Sequence, residues 1–175
     1  MSGRPIVFLD RDGTLNEETP DERIDSLAKV RLMPGVVPAL LDLQRAGYSF
    51  VIVSNQDGLG TPTLPREPFE ATHRFIMELF RSQGIEFEEV FFCPHFKHEG
   101  CDCRKPQVGM VREYLAANEI DKQRSFMVGD RDTDLEFAAN LGISGLRIRL
   151  NGGAHETWPG IAARIIAARR APAPS

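Results

Sequence analysis

Two aspartates, one residue apart, close the first apolar run of the sequence. Ile6–Leu9 is followed by Asp10, Arg11 and Asp12, and then by a glycine and a threonine. Side chains alternate in an extended chain, so both carboxylates are predicted to lie on one side and Arg11 to point away. Carboxylates this close repel each other, and a hard cation such as Mg²⁺ would keep both ionised and could gather a phosphate. The alternative is a strand that ends in a polar turn.

A second short segment is rich in residues that can bind a metal. The three cysteines of the chain lie within eleven residues, together with His95 and His98. Cys93, His95, Cys101 and Cys103 form the candidate ligand set, and His98 is expected to face solvent. Sulfur and imidazole ligands at this spacing suit zinc, and a Cys₃His set with no vacant position is typical of a structural site. Zinc would order the polar loop between the two halves of the set. The alternative is that these are reduced free thiols.

The composition is typical of one domain without a strongly charged face. The chain has 175 residues, 42% of them hydrophobic, and a formal net charge of −4 with acids and bases interspersed. This length fits one ordinary domain and is too short for two. No basic run predicts binding to nucleic acid or to an anionic membrane, and the first residues match neither a signal peptide nor a membrane span. We therefore expect a cytosolic protein, with a monomer as the simplest state.

Short apolar runs alternate with segments of helical spacing. The runs are typical of buried parallel strands and cover Ile6–Leu9, Phe50–Val53, Val90–Cys93, Phe126–Val128 and Leu146–Ile148. Helices are predicted between Gly35 and Gly47 and over Phe69–Gln83, Val108–Asn118 and Asp132–Leu141. This order predicts right-handed crossovers in an α/β fold, a three-layer, doubly wound (Rossmann-like) parallel sheet. The domain is predicted to cover 1–168, with 169–175 as a linker or disordered tail.

Polar residues follow three of the predicted strands directly. Asp10 and Asp12 come after the first strand, Ser54 and Asn55 after the second, and Asp130 after the fourth. In open parallel sheets, clefts form outside the carboxyl ends of the strands. We therefore expect these residues, distant in sequence, to meet at one edge of the sheet.

At these positions the chain resembles the haloacid dehalogenase superfamily of phosphotransferases, and the resemblance covers nearly all of it. Four motifs of that superfamily occur in order: Asp10 to Thr14, Ser54–Asn55, Lys105 within Arg-Lys-Pro, and Asp130 with Asp134 following. The resemblance implies a capless member of that fold with a zinc-stabilised loop. It also implies Mg²⁺-dependent hydrolysis of a small-molecule phosphate monoester.

The resemblance assigns a role to each motif. Asp10 is the nucleophile that forms an aspartyl-phosphate, and Asp12 protonates the leaving alcohol and later deprotonates water. Mg²⁺ is held by Asp10, Asp130 and the main-chain carbonyl of Asp12. Charge on the phosphoryl oxygens is neutralised by the metal, by Lys105 and by the Ser54 hydroxyl.

Three further residues support these roles. Thr14 and Asn55 complete the expected phosphate-binding set, and Asp134 holds either Lys105 or the waters of the metal. Each motif alone has an ordinary explanation, because Lys105 could be a solvated lysine and the acids after Gly129 could simply begin a helix. Four matches in the correct order favour the catalytic interpretation.

Two families of this superfamily share the small capless form with a zinc loop: the histidinol-phosphate phosphatases and the heptose bisphosphate phosphatases. The stretch Ser-Asn-Gln-Asp-Gly, which contains Asp57, resembles the first family. Histidinol phosphate carries an amine and an imidazole, so its pocket should offer carboxylates, for which Glu17, Glu18 and Asp57 are candidates. A bisphosphate would need a second cationic site, and Arg104 could serve either substrate. We predict hydrolysis of L-histidinol phosphate in histidine biosynthesis, with heptose 1,7-bisphosphate as the alternative.

Two further alternatives concern whether the chain is part of a longer enzyme and whether it is catalytic. In many bacteria the histidinol-phosphate phosphatase domain is fused to an imidazole-glycerol-phosphate dehydratase, so this chain is either monofunctional or part of such a bifunctional enzyme. A non-catalytic domain could keep this fold and use zinc and phosphate for recognition. Because Asp10, Asp12, Lys105 and Asp130 are all present, the enzyme is the favoured interpretation.

Overall fold

Five parallel strands form one sheet, in the order β3-β2-β1-β4-β5, in a computed structural model that describes residues 3–170. In chain order the elements are β1 (Ile6–Leu9), α1 (Val36–Arg45), β2 (Ser49–Asn55), α2 (Arg66–Ser82), β3 (Glu89–Cys93), α3 (Arg112–Ala117), β4 (Phe126–Gly129), α4 (Asp132–Leu141), β5 (Ser144–Arg147) and α5 (Trp158–Arg170). Strand and helix alternate throughout, which confirms the predicted α/β architecture.

The central strand, β1, pairs with β2 on one side and with β4 on the other. The register aligns Leu9 with Ile52 of β2 and with Val128 of β4. The strand order therefore reverses beside β1, and chain segments diverge there to opposite faces of the sheet. Such a switch point opens a crevice at the carboxyl ends of the strands.

Helices cover both faces of the sheet, so the fold has the three layers expected from the sequence. Alternate residues of β1 point to opposite faces, with Val7 in one hydrophobic cluster and Phe8 in the other. Residues of α1, α2 and α5 pack in the first cluster, and residues of α3 and α4 pack in the second. All four residues of β1 are fully buried, which explains why the strand is an uninterrupted apolar run.

Several element boundaries differ from the prediction. The helix expected over 108–118 is a 3₁₀ turn at Gly109–Val111 followed by α3, which ends where Asn118 adopts an extended conformation. The last strand begins two residues early, at Ser144, and includes Gly145, which lies close against α4 where a Cβ would stand 3.1 Å from Ala138. A small residue is needed there, so the strand lacks a strong apolar pattern.

The predicted tail overlaps the end of the last helix. Helix α5 continues through Arg170, so the first two residues of 169–175 are helical, and residues 171–175 lie outside the described part of the chain. The prediction of a linker or disordered tail therefore stays a prediction. Among the described residues, no helix is long and apolar enough to cross a membrane.

Candidate active site

A cleft of about 810 Å³ opens at the carboxyl ends of the strands, beside the switch point at β1. Most of the predicted site residues line it: Asp10, Asp12, Glu18, Ser54, Asn55, Asp57, Arg104, Lys105 and Asp134. The sheet thus gathers residues from the ends of β1 and β2, from the loop after β3 and from the start of α4, as the positions of the motifs predicted.

Lys105 lies between two carboxylates at the base of this cleft. Its Nζ is 3.1 Å from Asp10 Oδ1 and 2.7 Å from Asp134 Oδ1, and it donates to the carbonyl of Val53 at 2.6 Å. Burial favours the neutral amine, but Asp10 and Asp134 together raise the pKa of Lys105. The ammonium therefore stays charged although only 2% of its side chain is exposed.

The carboxylate of Asp10 is held in one orientation and is strongly desolvated. One of its oxygens accepts a hydrogen bond from the main-chain N–H of Arg11 at 2.8 Å. Burial raises the pKa of Asp10 to about 7, with Lys105 opposing the shift and Asp134 and Asp130 adding to it. A further cation beside this carboxylate would favour its ionised form.

Three carboxylates converge where a metal ion could bind. Oxygen atoms of Asp10, Asp130 and Asp134 all lie within 4.8 Å of one another. Asp130 Oδ1 is buried and has no hydrogen-bond partner among the described residues, and burial together with Asp134 raises the pKa of this carboxyl to about 6. Because a buried, unpartnered carboxylate oxygen is costly, this set fits a hard divalent cation such as Mg²⁺.

Asp134 also has a second task in this cluster. Its Oδ2 accepts the main-chain N–H of Arg131 at 3.0 Å, while its Oδ1 faces Lys105.

Gly13 leaves the room that the carboxylate of Asp130 needs. A Cβ on Gly13, whose φ is +75°, would stand 2.4 Å from Asp130 Oδ2. The carboxylate of Asp12 does not belong to this cluster. The predicted metal ligand from Asp12 is therefore its main-chain carbonyl and not its side chain.

The carboxylate of Asp12 is bound by four side-chain donors. Arg11 binds both of its oxygens, with Nε 2.8 Å from Oδ1 and Nη2 3.0 Å from Oδ2. Gln56 Nε2 donates to Oδ2 at 2.9 Å, and Asn16 Nδ2 donates to Oδ1 at 3.0 Å. Burial alone would raise the pKa of Asp12, but the charge and hydrogen bonds of Arg11, with those of Gln56 and Asn16, lower it overall.

Residues after β2 orient the groups around the phosphate site. Asn55 binds the main chain of Lys105 twice, because its Oδ1 accepts from Lys105 N at 2.9 Å and its Nδ2 donates to Lys105 O at 3.2 Å. Ser54 is 1% exposed, and its hydroxyl accepts from Gln56 Nε2 at 3.0 Å. Asn55 thus positions Lys105, whereas Ser54 faces the cleft.

Charged residues at the rim of the cleft are paired with one another. Arg104 forms an ion pair with Asp57 and donates to the carbonyl of His95. Arg131 pairs with Glu18 at 2.6 Å and with Glu22 at 3.3 Å. Two cations at this rim are therefore already matched by carboxylates.

The zinc-type residues converge beside the cleft. The sulfur atoms of Cys93 and Cys103 are 3.1 Å apart, and those of Cys93 and Cys101 are 3.6 Å apart. His95 Nδ1 lies 3.2 Å from Cys103 Sγ. Ligand atoms of a tetrahedral zinc site with Zn–S bonds of about 2.3 Å stand ~3.8 Å apart, so the donor set and spacing fit Zn²⁺. Through Cys103 this cluster holds the segment that carries Arg104 and Lys105.

Comparisons with known proteins agree with this geometry. A family model described as HAD-hydrolase-like matches residues 102–158. The histidine biosynthesis bifunctional protein HisB of Legionella pneumophila is 50% identical over 163 residues, which is 93% of this chain and 45% of the relative. HisB of Campylobacter jejuni is 50% identical over 143 residues, or 81% of this chain and 41% of the relative. The chain thus spans less than half the length of these relatives.

A solved structure has the same fold as this chain. The D,D-heptose 1,7-bisphosphate phosphatase of B. bronchiseptica, complexed with magnesium and phosphate, superposes with a TM-score of 0.81 at 26% identity, covering 93% of this chain and 98% of that one. This chain is similar to the haloacid dehalogenase-like hydrolases. The family resemblance and the capless three-layer fold predicted from the motifs are thereby confirmed.

Two of the predicted substrate-binding residues do not line the cleft. Thr14 is fully buried, and its carbonyl accepts the indole N–H of Trp158 at 2.8 Å. Glu17 does not line the main cleft but a smaller cavity of about 270 Å³, which also borders Glu18 and Asp130, and its main-chain N–H donates to the carbonyl of Arg31. Neither side chain lines the main cleft, and the substrate-binding roles of Thr14 and Glu17 stay predictions.

The sequence analysis missed the residues that hold Asp12. Arg11 was expected to point away, but β1 ends at Leu9, so strict alternation stops there and the guanidinium folds back onto Asp12. Asn16 and Gln56 carry no periodic signal. A usable signal was the position of Arg11 inside an otherwise buried run, where a charged residue needs a partner.

Proposed function

We propose that this hydrolase converts L-histidinol phosphate to L-histidinol and inorganic phosphate, with Mg²⁺ as catalytic and Zn²⁺ as structural metal. The observation that carries the proposal is 50% identity over 93% of the chain to a histidine biosynthesis protein. The cluster of Asp10, Lys105 and Asp134 supplies chemistry that fits it. The proposal is confined to the matched segment, which corresponds to 45% of that bifunctional relative.

In this reaction Asp10 attacks the phosphorus, and the P–O bond to the substrate alcohol breaks. The product is an aspartyl-phosphate, which water then hydrolyses to regenerate the carboxylate. Lys105 holds the nucleophile in place and balances charge on the phosphoryl oxygens, together with the Ser54 hydroxyl. Asp10, Asp130 and the main-chain carbonyl of Asp12 would hold Mg²⁺, which would supply further positive charge when bound.

Asp12 handles the protons of both steps. Its neighbours favour the ionised form in the free enzyme, and the negative charge of a bound phosphate opposes them, so Asp12 takes up a proton when the substrate binds. It donates that proton to the departing alkoxide, which is a poor leaving group, and afterwards accepts a proton from the attacking water. Its position at the cleft and its network of four donors fix the carboxylate beside the nucleophile. General acid catalysis of this kind contributes about 10²- to 10⁴-fold to the rate.

The rim of the cleft favours a substrate with one phosphate and a cationic remainder. Arg104 and Arg131, which could bind a second phosphate, are each paired with carboxylates. Their partners are Asp57 for Arg104 and both Glu18 and Glu22 for Arg131, so these pairs leave one carboxylate in excess at the rim, which suits the ammonium group of histidinol phosphate. The heptose bisphosphate alternative rests on the similarity to the B. bronchiseptica enzyme, which is 26% identical.

A direct comparison of the two substrates tests the proposal. Phosphate release from L-histidinol phosphate and from D-glycero-D-manno-heptose 1,7-bisphosphate is measured with Mg²⁺ on one sample of known zinc content. We expect a kcat/KM at least about tenfold higher for histidinol phosphate, since one unmatched charged group costs on the order of 1 to 3 kcal/mol. A higher kcat/KM for the bisphosphate would show that the heptose bisphosphate is the preferred substrate. No phosphate release from either ester would reject the proposal that the chain is a phosphatase.

The cellular setting is proposed on similar grounds. We propose a cytoplasmic, monomeric unit that acts on a small molecule, and that is joined to an imidazole-glycerol-phosphate dehydratase where it occurs in a bifunctional protein. The relatives named bifunctional, of which this chain covers less than half, support the last point. Sedimentation of the purified chain at several concentrations measures the oligomeric state, and a concentration-dependent dimer would overturn the monomer.

A further inference from the structure

Arg11 is a fully buried arginine whose side-chain hydrogen bonds all go to one residue. Its Nε and Nη2 bind the two oxygens of Asp12, and its own side chain is 0% exposed. Nη1 has no hydrogen-bond partner among residues 3–170. An arginine kept only to join chain segments would be expected to bind carbonyl groups of several of them, and within the same described range this side chain binds none.

The guanidinium is held in place by two aromatic rings. Its central carbon lies 4.7 Å from the ring centre of Phe69 at the start of α2 and 5.8 Å from that of Phe92 in β3. The rings themselves meet edge to face, 5.1 Å apart. Cation–π contacts of a desolvated arginine are favourable, and the rigid fork of the guanidinium matches a carboxylate.

We propose that Arg11, seated on Phe69 and Phe92, is a positioning residue that fixes the Asp12 carboxylate for proton transfer to the leaving group. This inference deepens the proposed function and rests on it. Burial of a guanidinium is expensive, and the pair compensates for it while leaving the Asp12 side chain 11% exposed towards the cleft. A displacement of about 1 Å at such a group costs on the order of 10²-fold in rate.

The leaving group provides a test that separates positioning from folding. An alkyl phosphate releases a poor leaving group that needs a proton, whereas p-nitrophenyl phosphate releases a phenolate that does not. We expect Arg11→Met to lower kcat/KM for glycerol 2-phosphate by about 10²-fold, and for p-nitrophenyl phosphate by less than about tenfold. Equal losses for the two esters would overturn the proposal, because damage to the fold affects both alike.

A double variant gives an independent readout. If Arg11 acts only through Asp12, then adding Arg11→Met to Asp12→Asn leaves kcat/KM for the alkyl ester unchanged, since coupled residues are not additive. A further loss equal to that in the wild-type background would contradict the inference. Arg66→Met, which removes an exposed arginine of α2, is the matched control and should retain the activity of the wild-type chain towards both esters.

Two milder variants keep the test decisive if Arg11→Met does not fold. Arg11→Lys retains the charge without the fork, and Phe69→Leu removes one ring under the guanidinium. Both should show the same selective loss for the alkyl ester, of smaller size, and equal losses for the two esters would again overturn the proposal. If the unmodified chain hydrolyses neither these two esters nor L-histidinol phosphate, the proposed function fails first, and if it hydrolyses L-histidinol phosphate but not glycerol 2-phosphate, L-histidinol phosphate serves as the alkyl ester. If it hydrolyses both, only the role of Arg11 is in question.

Discussion

The ammonium group of Lys105 lies 3.1 Å from a carboxylate oxygen of Asp10, and at most 10% of either side chain is exposed. Asp134 contacts the same ammonium at 2.7 Å and is 1% exposed. One buried cation thus faces two buried carboxylates, and the cluster carries an excess of negative charge that a divalent metal would offset. The pair therefore links the stability of the fold to the chemistry of the site.

Removing the cation of this cluster should destabilise the metal-free protein strongly. Lys105→Met leaves the Asp10 and Asp134 carboxylates without their partner, and breaking a buried pair in this way costs about 3 to 5 kcal/mol. Urea unfolding without added metal measures the loss. Lys122→Met, at an exposed lysine, should change the free energy of unfolding by less than about 0.5 kcal/mol. Equal stabilities for the two variants would contradict the pairing.

The close approach of Gly13 to Asp130 predicts a selective effect on metal binding. In Gly13→Ala the new Cβ would stand 2.4 Å from Asp130 Oδ2, so the carboxylate must move. We expect the Mg²⁺ concentration at half-maximal activity to rise at least about tenfold, because a shifted ligand loses on the order of 1.4 kcal/mol or more of metal affinity. A titration of phosphate release with Mg²⁺ measures the change.

Gly142 supplies the matched control for that experiment. It has nearly the same backbone angle as Gly13, with φ of +73° against +75°, but a Cβ there would meet no atom within 4 Å. Gly142→Ala should therefore share the backbone penalty of about 1 to 2 kcal/mol without a change in Mg²⁺ dependence. Similar Mg²⁺ titrations for both variants would show that Gly13 has no specific effect on Asp130.

Two histidines of the same loop should respond differently to substitution. His95 belongs to the Cys₃His cluster, whereas His98 stacks on Phe96 and is outside it. We expect His95→Ala to lose bound zinc and about 2 kcal/mol or more of stability, or ~4 to 8 °C in Tm at this chain length. His98→Ala should keep both. Zinc content and thermal melting are measured on the same samples, and equal zinc content in the two variants would reject the ligand set.

The half-buried ring of His73 predicts a loss of stability in acid. Its ring stacks on Phe69, and burial, with a contribution from Arg11, lowers the pKa of His73 from 6.5 to about 4. Between these values the unfolded chain binds a proton that the folded chain does not, so His73 makes the free energy of unfolding fall as pH drops from about 6.5 to about 4. His73→Leu should remove about 1 to 2 kcal/mol of that loss, allowing for its partial exposure.

Urea unfolding at about pH 7, 5.5 and 4.5 measures this dependence, because these values span most of the range between the unfolded and folded pKa of His73. His155→Leu changes an exposed histidine and serves as the control. An unchanged pH slope in His73→Leu would show that another group causes the acid sensitivity. A steeper slope would mean that burial of His73 does not favour its neutral form.

The sheet and its helices were predictable because their cause lies in local pattern. The runs at Ile6–Leu9 and Asp132–Leu141 match the observed β1 and α4 in full, since burial on both faces or on one helical face dictates each residue type. The convergence of Asp10 with Asp130 followed from strand ends meeting at one edge of a parallel sheet. Those predictions needed only element order.

The remainder depends on contacts that no periodicity encodes. The Arg11 fork on Asp12 forms only because Phe69 and Phe92, from separate elements, provide its seat. Glu17 lies outside the main cleft, in a loop after β1 whose main chain pairs with Arg31. Tertiary packing decides such positions, and a single sequence does not reveal it.

Phosphate release by Asp10→Asn tests the central claim, that this carboxylate is the nucleophile, most directly. The substitution keeps the size of the buried side chain but removes the charge that attacks phosphorus and faces Lys105. With p-nitrophenyl phosphate and Mg²⁺, we predict no release above that of buffer, while Asp42→Asn, at an exposed position of α1, retains the wild-type rate. Turnover by folded Asp10→Asn at a rate near that of the wild-type chain would contradict the account.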